Sequence, residues 1–201
     1  MLTATYALLT LSVEQKKTSA IFSTLQQYFQ GGSENLQRID PDSLEPVLNQ
    51  LAQFDESCHR RKVDVYVIPA IRRATKEADS LLAELESLSL LAVRILKTVR
   101  ERLMQSFDQG FVQIKELCCS MERYCQSLLQ RLAKEEAELL PLARRVISSD
   151  EWFAIGANFL SLDAENDARK PSAQRVWRPG GSFQAAFSPR FILAGQCSSR
   201  F

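Results

Sequence analysis

His59 is the only imidazole in the 201-residue chain, and that single count bounds the metal chemistry available to it. Soluble iron and zinc sites draw on two or more imidazoles or on a set of thiolates. The five cysteines are Cys58, Cys118, Cys119, Cys125 and Cys197. Their number is odd, their spacing irregular, and no Cys-x-x-Cys pair occurs among them. They read as small apolar packing groups in a reducing compartment, not as a disulfide framework. Cys58 and His59 are neighbours, and neighbours on a helix point about 100° apart, which makes them poor ligands for one ion. Cys118 and Cys119 diverge in the same way. The chain has no Gly-rich phosphate loop, no nucleophile elbow and no set of residues that would make a catalytic triad of its one histidine. Lys plus Arg number 25 against 24 Asp plus Glu, so no overall charge draws the protein to nucleic acid or to an anionic membrane.

The elements that must position these groups are helical. Apolar residues recur at helical spacing through most of the first 160 positions, and no run of strand period interrupts them. A first segment carries Ala4, Leu8, Leu11, Phe22, Leu25 and Phe29 and stops at Gly31-Gly32. A second opens at Asp40-Pro41, an N-cap followed by a proline at the first helical position. It continues through Leu44, Leu48, Leu51, Phe54 and Cys58, and Pro69 is expected to end or kink it. A third runs from about 75 to 106, with Leu81, Leu82, Leu85, Leu88, Ala92, Ile95, Val99 and Leu103 on one face. Gly110 breaks it. A fourth carries Ile114, Leu117, Met121, Tyr124, Leu128, Leu132 and Leu139 and closes near Pro141 or a turn later. Ser148-Ser-Asp-Glu151 then has the form of a capping box for a short helix from Glu151 to about Leu160. Beyond Ala168 the chain turns basic and rich in Pro, Gly and aromatic residues, and an irregular tail is expected there. The apolar N-terminus lacks a basic leader and is soon followed by Glu14 and Lys16, a poor signal peptide. No stretch reaches the ~18 apolar residues of a membrane span.

Several stretches resemble the hemerythrin-like (HHE cation-binding) family. Tyr124 to Ala143, with its Glu135 and its Pro-Leu-Ala exit, resembles that family's fourth helix, and Val146 to Phe159 resembles its terminal helix. Cys58-His-Arg-Arg-Lys-Val63, ahead of Pro69, resembles the His-x-x-x-Glu of its second helix. Ala78 to Glu86 is similar to the approach to the helix-three histidine, and Glu14-Gln15 to the Glu-His of helix one. The resemblance implies an up-down-up-down four-helix bundle around a non-haem iron site. There His and Glu at i and i+4 project from one face of a helix, and facing helices complete the shell.

Carried over by position, two of the six ligand places keep ligand chemistry, His59 and Glu135. The other four hold Gln15, Val63, Ser89 and Arg131. A guanidinium is always protonated and has no lone pair to offer a metal. Arg131 therefore puts a fixed positive charge where the resemblance puts a cation, four residues from Glu135 and on its stripe. The expectation is an Arg131–Glu135 pair in place of the metal. The bland alternative has Arg131 reaching out to solvent and Glu135 as a surface acid. Glu136, Glu138 and Asp64 are expected to be solvated, since their helical phase points away.

The expected protein is all-α: a hemerythrin-like bundle over residues 1–162 with a short fifth helix, and a basic, poorly ordered tail over 163–201. It is expected to be a cytoplasmic, non-enzymatic structural, regulatory or interaction module with an unidentified protein partner. No cofactor and no membrane or nucleic-acid partner is expected. Two alternatives stay open. One is an iron-binding or oxygen-sensing module with a site rebuilt around His59 and Glu135. The other is nucleic-acid or lipid binding through the tail.

Overall fold

The computed structural model describes residues 2–30, 62–109 and 114–169. Among them every regular element is helical. Helix α1 spans Leu2–Gln30. A π-helical turn at Val63–Val67 leads into the short α2, Ile68–Ala74. Helix α3 is Asp79–Gln109, and α4 is Ile114–Lys134. A second π turn, Glu135–Leu139, leads into α5, Leu140–Val146, and α6 is Ser149–Arg169. The second segment, from Asp40 to His59, lies outside the described residues. So does the chain from residue 170 onward.

Helix α4 packs along both α1 and α3. Both pairings run antiparallel. Gln15 reaches Leu132 whereas Gln30 reaches Glu122. Likewise Leu88 meets Ser127, while Arg102 meets Glu116. The faces named from the pattern are buried in large part, with Leu8, Leu81, Leu88 and Ile95 half-buried. Leu82, Leu85, Ala92 and Val99 on α3, and Leu117, Met121, Tyr124, Leu128 and Leu132 on α4, are all buried. Phe22 of α1 meets Tyr124 of α4 edge to face, with ring centroids 6.0 Å apart.

The two π turns explain why neither proline stops its helix. Proline has no N–H to give, and its ring crowds the carbonyl four residues back. Just upstream of Pro69, Ile68 N–H donates to the Val63 carbonyl, five residues back. Leu140 N–H does the same with Glu135 ahead of Pro141. Each widened turn makes room for the ring, and the helix then runs on for seven residues. The helix expected to end or kink about Pro69 has its irregular turn just ahead of that proline and closes at Ala74.

The two stretches are copies of one device. Val63 to Ala74 and Glu135 to Val146 share the π turn, the proline one residue into the following helix, and an Arg-Arg pair in its last turn. Val63 and Glu135 occupy equivalent places in it. Reciprocal ion pairs join the exits: Arg73 to Glu151 at 2.5 Å and Arg145 to Glu77 at 2.7 Å. Val67, Ala70 and Ile71 from one copy and Leu139, Leu140 and Ala143 from the other share a core with Leu82, Leu85, Trp152, Ile155 and Phe159.

Ser148 caps α6, its hydroxyl accepting from Glu151 N–H at 3.3 Å. The helix is longer than its capping signal alone suggested. It continues past Leu160 to Arg169, into residues 163–169 that had been expected to belong to the tail. By contact the chain forms two compact units, Met1–Phe159 and Leu160–Phe201. The described part of the second is the end of this helix. No helix among the described residues is long and apolar enough to cross a membrane.

Candidate functional site

Arg131 lies on the inner face of α4, in register with Met121, Tyr124 and Leu128. Only 4% of it is exposed, so the alternative in which it reaches solvent does not hold. Its guanidinium is gripped from three elements. Nε donates to Glu135 Oε1 at 2.7 Å, across the junction of α4 and the second π turn. Nη2 donates to Asp64 Oδ1 at 2.5 Å in the first π turn. Nη1 donates to Ser89 Oγ on α3. Glu135 is 1% exposed and is no surface acid. Burial works to lower the Arg131 pKa, but the Glu135 and Asp64 carboxylates outweigh it and hold the group above its ordinary value. The guanidinium is a permanent buried cation.

Of the six positions singled out by sequence, Ser89 and Glu135 meet Arg131, and Gln15 meets the residue after it. Val63 is fully buried beside Asp64 in the first π turn. Ser89 and Glu135 touch the guanidinium directly. Gln15, 2% exposed, donates through Nε2 to the carbonyl of Leu132, the residue after Arg131, at 2.6 Å. His59 lies outside the described residues. Glu136 and Glu138 are exposed, as their phase implied.

Asp64 corrects the expectation of a solvated acid. Asp64 belongs to the π turn Val63–Val67, where residues do not follow the 3.6-residue period of a regular helix. Asp64 meets Arg131 with its side chain 37% exposed, the arm of the cluster that reaches toward solvent.

Lys62 and Glu14 were not foreseen as a pair. Lys62 is 1% exposed, and its Nζ meets Glu14 Oε1 at 2.6 Å, with the Phe159 ring centroid 5.3 Å away. Lys62 ends the run His59-Arg-Arg-Lys62, which resembles a solvated basic patch. The available signal was its place directly before the apolar Val63, one residue ahead of the π turn. Together these groups form a belt. Lys62 ties the first π turn to α1, Asp64 ties it to α4, and Ser89 ties α3 to α4.

The donor set at Arg131 does not fit a metal ion. The guanidinium N–H groups reach the carboxylate oxygens at 2.5 and 2.7 Å. With a C–N bond of about 1.33 Å and a trigonal angle at nitrogen, each oxygen lies roughly 3.5 Å from the guanidinium carbon. Metal ions hold carboxylate oxygens at about 2.0–2.6 Å. Among the described residues no group of three or more His, Cys, Asp or Glu side chains is placed to hold a metal ion. The three cysteines of α4 differ in access, and Cys119 is the exposed one. Cys118 and Cys125 are buried, and burial is the main cause that raises both thiols, Cys125 to about 12. No family profile, curated protein or solved structure matches the chain.

Proposed function

We propose that the protein is a hemerythrin-like four-helix bundle whose iron site has given way to an internal ion pair. In this reading it works as a non-catalytic regulatory or interaction module in the cytoplasm. One observation carries the reading. A side chain that cannot ligate a metal sits buried on the inner face of α4, and acceptors from three elements close around it. The repeated π–proline device supports it too. It makes Val63 the counterpart of Glu135, so one of two equivalent carboxylate places is filled by an apolar residue. A fixed guanidinium offers neither redox change nor an open coordination position, so it has no means to bind or activate dioxygen. What remains to the domain is its shape and its surface.

The test is elemental analysis, with an absorption spectrum, of the full chain purified from iron-replete cells. The reading expects iron far below one atom per chain and no ligand-to-metal band in the visible. Stoichiometric iron would instead favour the alternative of a site rebuilt around His59 and Glu135.

A further inference from the structure

We infer that Asp64, Ser89 and Glu135 form a guanidinium-binding cage in which Arg131 is a tethered ligand. A free guanidinium ion would then occupy the same place when the side chain is cut back. The inference rests on the reading of Arg131 as the resident cation and adds what the cage selects. Three features point to walls that stand without their occupant.

First, the Ser89 hydroxyl donates its own proton to the Leu85 carbonyl at 3.1 Å. Its lone pairs are thereby left to face a donor whether or not Arg131 is present. Second, the two carboxylates are carried by the two π turns, each fixed by its own backbone hydrogen bond and by the proline that follows. Third, Gln15 to Leu132 and Ser127 to Leu88 pin α4 to α1 and to α3 within a turn or so of the cage.

The cage also has a preference. Its two carboxylate oxygens accept from Nε and Nη2 and its hydroxyl from Nη1, so each nitrogen of a planar fork meets an acceptor of its own. An ammonium ion is compact and lacks the rigid fork that reaches acceptors in three fixed directions. The ligand class is therefore a planar guanidinium, whose three nitrogens match the three acceptors one for one.

The experiment is thermal unfolding of the full-length Arg131→Ala chain with millimolar methylguanidinium, methylammonium or Mn²⁺, beside the parent and Arg131→Ala/Glu135→Gln. Arg131→Ala should melt below the parent. Methylguanidinium at ten times its dissociation constant should raise its midpoint by about 3–5 °C. The parent and the double variant should not respond. If Arg131→Ala does not fold alone, it should gain a cooperative transition when methylguanidinium is present. No response to methylguanidinium, or an equal response to methylammonium or Mn²⁺, overturns the cage. Either result leaves the proposed function standing if the parent is iron-free, whereas iron in the parent would overturn that function independently.

Discussion

Buried charge is costly, and the individual residues show how this protein meets the cost. Arg131 is removed from water but surrounded by acceptors, and Lys62 is removed from water but held between Glu14 and the Phe159 ring. Such arrangements contribute little net stability over an apolar core, yet they are strongly destabilised when one partner is lost. Lys62→Met should therefore cost about 1.5–3 kcal/mol in urea unfolding, the range for a hydrogen bond to a charged group. The thiols make a second residue-scale prediction. Cys119 is exposed while Cys118 and Cys125 are buried and shifted upward. Mass mapping after iodoacetamide at pH 8 should find Cys119 modified and the other two protected until the chain unfolds. The sign of the linkage follows. The Cys125 thiol is raised from 9.0 to about 12 on folding, so the unfolded chain ionises it first. Its contribution is complete below pH 9 and is lost as the pH climbs toward 12. Cys125→Ala should lessen the alkaline fall in the urea midpoint over that window.

At the scale of the elements, the π turns do the positioning, and they mark where sequence pattern stops being informative. The stripes of α3 and α4 were legible because a regular helix repeats every 3.6 residues. Leu82, Leu85, Leu128 and Leu132 fall where that period puts them. Arg131 and Glu135 were legible for the same reason, since i and i+4 share a face up to the start of the second π turn. Asp64 was not legible. Its direction depends on a local widening that a fixed period cannot express, and the proline that provokes the widening reads in sequence as a stop. Lys62 was hidden among three consecutive basic residues. Two tertiary ties made by the elements are testable. Gln15→Met should cost about 1–3 kcal/mol, because the Leu132 carbonyl loses its buried donor from α1. Ser148→Ala should cost about 1 kcal/mol by removing the cap of α6. Chemical unfolding of each variant against the parent checks both.

For the whole molecule, the contrast is between ion pairs that hold helices together inside and ion pairs that decorate the outside. Arg73–Glu151 and Arg145–Glu77 join the two copies of the π–proline device reciprocally, but both arginines are well exposed. Exposed pairs are worth at most about 1 kcal/mol. Arg73→Gln/Arg145→Gln should thus shift the unfolding free energy by less than roughly 1–2 kcal/mol, and the shift should shrink further in high salt. The inner belt should be far less sensitive to salt, because water and ions do not reach Arg131 and Glu135.

The most direct test of that account is a double-mutant cycle on Arg131→Ala and Glu135→Ala, read by denaturant unfolding. Each single change should cost about 3–5 kcal/mol, because it takes a direct partner from a buried charge. The double change should cost less than the sum of the two by at least about 2 kcal/mol, because it strands neither member of the pair. Singles within about 0.5 kcal/mol of the parent, or costs that simply add, would contradict the claim that this guanidinium and carboxylate hold each other in the interior.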